Sequence, residues 1–207
     1  TNNKSINQYK MTLGTLYIHS HSPRSNWLYS LIEHLKLDIK VVPFDQVENF
    51  KELFPLGTVP AYIENDGYKL TEFIAIVEYF LAIGNDEIYS GNKSIKDKAQ
   101  VLRWLSYINQ DMVGVWDKYF FASSTDEEKK ANSDAQRSQF AYLENELSTR
   151  SYFAGDYITI ADVYLFSWYG LFSAVVGGEI SVDFPVLTKW YESVKENDAI
   201  AKEIANK

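Results

Sequence analysis

The most conspicuous gap in this sequence is cysteine, which is absent from all 207 residues. Disulfide bonds, zinc sites built on cysteine and thiol nucleophiles are therefore excluded for this chain. Any thiol that takes part in its chemistry has to arrive with a ligand. Because proteins of reducing compartments do without disulfides, the absence also fits a cytoplasmic location, which is our expectation.

Positive charge is scarce as well. The chain has 20 Lys and Arg residues against 28 Asp and Glu residues, which gives a formal net charge of -8. An acidic surface repels phosphate backbones, and no cluster of basic residues stands out along the chain. We therefore expect no nucleic-acid partner.

Long apolar runs are also missing. The longest uncharged run covers residues 163–178 and is interrupted by serine and glycine, whereas a membrane-spanning helix needs about 20 residues. We expect a buried core helix here and no membrane segment. The first ten residues, TNNKSINQYK, are polar and resemble no targeting peptide, and residues 1–12 are expected to form a flexible extension.

What the chain does contain is 46% hydrophobic residues, enough for a substantial core. In the first half, TLYIHS (15–20) and IKVVPF (39–44) predict two strands. Between them the pair Ser22 and Pro23 predicts a helix start, since Ser suits the N-cap and Pro the first helical position. These elements form a βαβ unit.

Two further strands, AYIE and YKL, are predicted on either side of Asn65-Asp66-Gly67, which is a strong hairpin signal. A helical pattern begins at Thr71. The order β-α-β followed by β-β-α matches a small four-stranded mixed sheet with helices on its faces. We predict a thioredoxin-like α/β domain over residues 13–85.

No strand pattern follows residue 84, and the second half is predicted to be an all-helical bundle over residues 94–207. Ser94 with Asp97, and Thr159 with Asp162, have the spacing of helix capping boxes. The fold class predicted for the whole chain is therefore α/β plus all-α, in two domains.

The stretch GTVPAYIENDGYKLTEF, residues 57–73, combines two unusual features. Pro60 heads a strand although proline cannot donate to a sheet ladder. In the thioredoxin-like arrangement such a proline is usually cis and turns the preceding backbone outward, so we expect Val59 to offer its own N–H and C=O to an extended ligand. Glu72 stands at a helix start, where free N–H groups suit a carboxylate and the acid suits an ammonium. Both features fit a short peptide with a zwitterionic end.

The segment FPLGTVPAYIENDGYKLTEFIAI resembles the glutathione site of cytosolic glutathione transferases, and FAGDYITIADV is similar to their helical capping motif. GTLYIHS, LKLDIKVV, GYKLTE and AQVLRW resemble more narrowly the transferase-like part of the fungal elongation factor 1B gamma subunit. The resemblance implies glutathione as co-substrate, a small electrophile as second substrate and a homodimer. The narrower likeness implies translation elongation factor subunits as alternative partners.

Carried over by position, the resemblance implies a glutathione site at Thr58, Val59, Pro60, Glu72 and Phe73. Val59 and Pro60 would hold the cysteinyl backbone. Glu72 and Phe73 would hold the γ-glutamyl end. The family often has Ser after the acid, and its hydroxyl helps to bind the carboxylate. Here that residue is Phe73, which leaves only a backbone N–H, unless Thr71 substitutes.

Transferase chemistry requires the glutathione thiolate, and a free thiol has a pKa of about 8.5. A hydroxyl donor at a helix N-terminus can stabilise the thiolate, and Ser22, directly before Pro23, has the position that the family uses. Other classes place the serine one residue earlier, where this chain has His21. Ser22 and His21 are the catalytic candidates, and Tyr17 is a third donor better explained as core. No metal site is predicted.

Three functions remain open at this point. The chain is an enzyme that joins glutathione to small electrophiles, or an interaction module of the elongation-factor gamma type with little activity, or a peroxidase that uses glutathione at the same site. Tyr107, Trp116, Tyr119 and Phe120 are candidates for the walls of an electrophile pocket.

Overall fold

The computed structural model of this chain describes residues 12–206. The flexible extension predicted over residues 1–12 lies outside the described residues, apart from Thr12. Four strands form one sheet: β1 (Gly14–Ile18), β2 (Ile39–Pro43), β3 (Ala61–Glu64) and β4 (Lys69–Thr71). Their order is β2-β1-β3-β4. β1 is parallel to β2 and antiparallel to β3, and β3 is antiparallel to β4, which confirms the predicted mixed sheet and its hairpin.

Helices cover both faces of the sheet: α1 (Leu28–His34), α2 (Phe50–Leu53) and α3 (Phe73–Ile83). A single 3₁₀ turn, Phe44–Gln46, follows β2. Leu16 and Ile18 of β1 lie in the core with α1 and α3. Tyr17 points the other way and packs on Phe50 and Phe54, as the period-two alternation of a strand requires. Tyr17 therefore lies in the packed layer under α2.

The predicted helix start at Ser22 is wrong, because α1 begins at Leu28. Residues 20–21 and 23–27 form turns instead. The fully buried Ser25 explains the difference: its Oγ donates to the C=O of His19 and accepts from the N–H of His19, both at 3.2 Å. These bonds fold the segment back onto the end of β1 and delay the helix by about one and a half turns.

The second half is helical throughout, and beyond residue 71 the described part of the chain contains no strand, as predicted. Its helices are α4 (Ile95–Ser106), α5 (Val113–Asp117), α6 (Asp126–Leu147), α7 (Ile160–Val176), α8 (Ile180–Asp183), α9 (Pro185–Asn197) and α10 (Ala199–Ala205). Two π-helical segments, Tyr107–Met112 and Lys118–Ala122, flank α5. The chain is therefore helical without a break from the start of α4 to Ala122. The two-domain fold class is confirmed.

Buried helix α7 is held at its start by Asp162. The carboxylate accepts hydrogen bonds from the backbone N–H groups of Phe153 and Thr159, from the Thr159 hydroxyl and from the indole of Trp190, at 2.9–3.1 Å. Thr159 and Asp162 thus form the predicted capping box. Within residues 12–206, no helix is both long and apolar enough to cross a membrane.

The two halves share one hydrophobic core. The same cluster of buried side chains includes Leu16 in the sheet, Phe80 in α3, and Trp104 and Leu165 in the helical bundle. The last helix, α10, returns to pack against α1. The interface between the halves therefore consists in part of buried apolar side chains from both. The residues predicted to bind glutathione lie at the edge of this interface.

Candidate functional site

A cavity of about 290 Å³ opens at the edge of the interface between the two halves. It is lined by Arg24, Thr58, Val59, Pro60, Glu72, Phe73 and Asn109. The first half supplies six of these residues, and the helical half supplies the seventh. All five residues that the sequence predicts for glutathione binding therefore meet in one cavity, together with two residues that it does not predict.

The floor of the cavity is the turn that leads into β3. Gly57 has φ +66, a conformation that glycine adopts without strain, and it turns the chain towards Thr58. The Val59–Pro60 peptide bond is cis. Among the described residues, neither the N–H nor the C=O of Val59 has a backbone partner. This donor and acceptor are free to pair with an extended ligand, as an added strand would.

Glu72 lies between β4 and α3 with an unusual backbone. Its φ is 71°, in the left-handed region that non-glycine residues rarely adopt. Such a conformation costs about 1–3 kcal/mol and is characteristic of ligand sites. The side chain is exposed and forms no cap for α3. Its carboxylate is thus available to a ligand ammonium at the cavity rim.

Phe73, the first residue of α3, borders the cavity, but its side chain packs into the core. Its side chain is only 3% exposed. The ring stacks on Tyr164 of the helical half at 4.2 Å between centroids and approaches Trp27 edge-on at 6.0 Å. Thr71, the possible substitute hydroxyl, lies in β4 opposite Ala61 and is not among the cavity residues. Neither side chain supplies the hydroxyl that a carboxylate would bind.

Arg24 and Asn109 are the two cavity residues that the sequence analysis missed. Arg24 Nε donates to Asn109 Oδ1 at 2.9 Å, and the Tyr164 hydroxyl donates to the same oxygen at 3.0 Å. With two donors on Oδ1, the Asn109 amide has a defined orientation, and its Nδ2 has no partner among the described residues. Burial raises the pKa of Tyr164 to about 12, and the Arg24 charge acts in the opposite direction.

The only sequence signal for Arg24 was a basic residue next to Ser22-Pro23 after β1. Asn109 gave none, because 85 residues separate it from the arginine that it contacts. Such a contact follows from the packing of the two halves, which residue spacing does not encode.

The two catalytic candidates lie on the segment before Arg24 and do not line the cavity. Ser22 is half-buried, and its Oγ accepts the N–H of Arg24 at 3.3 Å. The Ser22 hydroxyl proton is still free to be donated. His21 is exposed, its backbone N–H donates to His19 Nδ1, and it lines a separate small depression with His19 and Phe44.

Three of the four aromatic candidates for an electrophile pocket lie together. Trp116 contacts Phe120 at 4.7 Å and Phe121 at 5.8 Å, and Tyr119 contacts Phe120 at 5.0 Å. We call these four residues the aromatic shelf. Phe120 and Phe121 are 50% and 79% exposed, which makes the shelf accessible to an apolar ligand.

Packing links the aromatic shelf to the cavity: Trp116 contacts Trp168 at 5.5 Å, and Trp168 lies one turn of α7 after Tyr164, which donates to Asn109. Asp117 follows Trp116 directly, and the charge of Arg24 lowers its pKa, although burial raises it more. Asp117, which adjoins the shelf in the sequence, is thus within electrostatic range of the cavity residue Arg24. The fourth candidate, Tyr107, packs instead between Trp104 and Tyr142 inside the helical bundle.

Within residues 12–206, no group of His, Asp and Glu side chains has the arrangement of a metal site. The chemistry that the cavity supports is recognition of a small zwitterionic peptide. It combines a free backbone donor and acceptor, a carboxylate and a guanidinium.

Comparison with known protein families agrees with this description. Residues 12–82 match the model for the glutathione S-transferase N-terminal domain, and residues 96–198 match the model for the C-terminal domain. A crystal structure of a glutathione S-transferase from Pichia kudriavzevii has a TM-score of 0.80 at 36% identity, covering 95% of this chain and 98% of that one.

Two relatives by sequence carry different names. Glutathione S-transferase Y-2 of Pichia kudriavzevii is 39% identical over 163 residues, covering 78% of this chain and 84% of that protein. Elongation factor 1-gamma 2 of Saccharomyces cerevisiae is 31% identical over 193 residues, covering 89% of this chain but 47% of that protein. The matched regions thus span most of the first relative and about half of the second.

Proposed function

Because the chain belongs to the glutathione S-transferase family, we propose that it binds glutathione in the cavity and joins the glutathione sulfur to small electrophiles. The observation that carries the proposal is the convergence of Val59, Glu72 and their predicted neighbours on one cavity. The cysteinyl unit would pair with the free N–H and C=O of Val59. The γ-glutamyl ammonium would lie against Glu72.

In the proposed reaction the thiolate sulfur attacks an electrophilic carbon. A carbon–sulfur bond forms, the leaving group departs with the electron pair of its bond, and the thiol proton passes to solvent. Lowering a thiol pKa by two units requires about 2.7 kcal/mol of preferential thiolate stabilisation. Ser22 is our candidate for part of this, since its Oγ accepts the Arg24 N–H and retains its own proton for the sulfur. His21 is the second candidate donor.

The second substrate would be a small apolar electrophile that lies on the aromatic shelf. Planar aromatic electrophiles are favoured, since aromatic side chains gain most from stacking on planar groups. The contact of Trp116 with Trp168, one turn of α7 after the Tyr164 that donates to Asn109, supports a shelf that adjoins the glutathione cavity.

Calorimetric titration with glutathione tests the binding proposal. The intact chain should bind in the micromolar to low millimolar range, and Glu72→Gln should weaken binding about tenfold, as loss of a charged partner does. Glu48→Gln, which changes another exposed acid outside the cavity, is the matched control. No heat of binding up to about ten millimolar glutathione in the intact chain would rule the proposal out.

Conjugation is tested separately, by the absorbance change when glutathione reacts with 1-chloro-2,4-dinitrobenzene. A catalysed rate that falls at least tenfold in Ser22→Ala, with glutathione affinity retained, supports the assigned role of the hydroxyl. A rate unchanged in Ser22→Ala but reduced in His21→Ala would transfer that role to the histidine.

A second candidate is an interaction module for translation elongation factor subunits, and the similarity to elongation factor 1-gamma 2 favours it. Purified elongation factor subunits, titrated against the chain by light scattering, test this function directly. Complex formation without catalysed conjugation would make this the leading function.

A homodimer and a cytoplasmic location are also proposed, since both are usual for the family. A molar mass in solution near twice the 23.8 kDa of one chain would establish the dimer. Microscopy of the fluorescently tagged chain tests its location.

A further inference from the structure

Arg24 is a cation in the cavity without an anionic partner. The ion pairs of the described residues include no pair for its guanidinium, although every other arginine among them has one. The charge of Arg24 lowers the pKa of Asp117, although burial raises it more, and the two side chains form no ion pair among the described residues. A half-buried guanidinium held beside a cavity with no counter-ion is suited to an anionic ligand group.

Arg24 is also held in place. Its Nε bond to Asn109 fixes one edge of the guanidinium, and the Tyr164 hydroxyl fixes Asn109 in turn. The Ser22 Oγ accepts the Arg24 backbone N–H, which restrains the main chain. Since a planar guanidinium has five N–H donors, four remain for other partners once Nε is engaged. Such preorganisation reduces the entropy lost when a ligand binds.

The cavity lacks the hydroxyl that a ligand carboxylate would need next to Glu72. The side chain of Phe73 is committed to Tyr164 and Trp27. An α-amino acid end carries an ammonium and a carboxylate on the same carbon, and Glu72 can satisfy only the ammonium. The backbone N–H of Phe73 at the start of α3 can donate one hydrogen bond to that carboxylate but carries no charge to pair with it. Among the described residues that line the cavity, Arg24 is the only Lys or Arg that can supply this charge.

We propose that Arg24 binds the α-carboxylate of the γ-glutamyl end of the ligand, and that Asn109 is the residue that positions Arg24 for this. The inference rests on the proposed glutathione binding. In this proposal both halves of the chain contribute to the ligand site, since Arg24 lies in the segment after β1 and Asn109, which positions it, lies in the helical bundle.

The test compares two ligands by calorimetry on the intact chain. The first is glutathione, and the second is 4-aminobutyryl-cysteinylglycine, which retains the ammonium but lacks the α-carboxylate. The intact chain should bind the analogue about ten- to a hundredfold more weakly, the usual effect of one charge-assisted pair. Arg24→Ala should weaken glutathione binding by the same factor and leave binding of the analogue unchanged.

Three variants complete the design. Arg150→Ala, which removes an arginine paired with Glu146 away from the cavity, should leave both affinities unchanged. Arg24→Lys should recover only part of the preference for glutathione, since it keeps the charge and loses the planar fork. Asn109→Ala should reduce the ratio of the two affinities, which a purely structural role would not change, and thermal unfolding of each variant checks that it folds.

The outcomes separate the two proposals. If the intact chain binds neither ligand, both the function and the role of Arg24 are overturned. If it binds both ligands equally well, or if Arg24→Ala weakens both by the same factor, only the role of Arg24 is overturned. A third ligand, glutathione with its glycine carboxylate converted to an amide, checks the opposite end of the peptide. If Arg24→Ala does not weaken the binding of this amide, Arg24 contacts the glycine carboxylate, and its proposed role at the γ-glutamyl end is overturned.

Discussion

Replacing Phe73 with serine would give this chain the residue that transferases often have after the acid, and the structure predicts that the change is harmful. Phe73 is 3% exposed, stacks on Tyr164 and contacts Trp27. Truncating a buried Phe costs about 3–5 kcal/mol, which already includes the loss of its ring contacts. A hydroxyl placed in that apolar gap adds a further cost of about 1–3 kcal/mol unless it finds a partner. We expect Phe73→Ser to lose at least 3 kcal/mol.

Urea unfolding followed by tryptophan fluorescence measures this loss, and the same samples are titrated with glutathione. Phe121→Ser is the matched control, since Phe121 is 79% exposed and should lose less than 1 kcal/mol. Phe73→Leu, which keeps an apolar side chain, should fall between the two. The reasoning is refuted if Phe73→Ser is within 1 kcal/mol of the unmodified chain and binds glutathione more tightly.

Three other predictions concern separate parts of the molecule. Asp162→Ala should destabilise the chain by about 3–5 kcal/mol in urea unfolding, because it leaves buried donors of Phe153, Thr159 and Trp190 unpaired; a loss below 1 kcal/mol would contradict this. Trp116→Ala should raise the KM for an aryl halide severalfold and leave the KM for glutathione unchanged. An equal change in both KM values would show that the aromatic shelf is not the electrophile site. Glu128 accepts the backbone N–H groups of Ser124 and Thr125, which lowers its pKa from the ordinary glutamate value. Relative to Glu128→Gln, the extra stability should be fully present above the ordinary pKa and disappear as the pH falls through the lowered pKa, and a pH-independent difference would refute it.

The sequence predicts those parts of the site that are local in the chain. Val59, Pro60, Glu72 and Phe73 lie within one stretch of 17 residues, and a hairpin between them brings the two ends of the stretch together. Their types and order carry the information, because a proline before a strand and an acid before a helix are each explained by backbone hydrogen bonding. The sheet and the helical bundle followed from the same kind of local pattern.

The parts that the sequence missed depend on contacts between distant segments. Ser-Pro is an ordinary helix start, but the hydroxyl of Ser25 bonds back to His19 and moves the start of α1 to Leu28. The side chain of Arg24 is held at the cavity because its Nε donates to Asn109 Oδ1 in the other half of the chain. A side-chain bond over six or 85 positions leaves no periodicity, and so no rule of spacing anticipates it.

The continuous core that joins the sheet to the helical bundle has a consequence for how the chain unfolds. Leu16 and Trp104 belong to one cluster of buried side chains, and α10 packs on α1. Unfolding of either half would therefore also expose apolar surface of the other half to water. The two halves differ in architecture, but they are stabilised by the same hydrophobic core. They should melt as a single cooperative unit, with equal calorimetric and van't Hoff enthalpies, and amide exchange in the centre of β1 and of α7 should report the same free energy of opening.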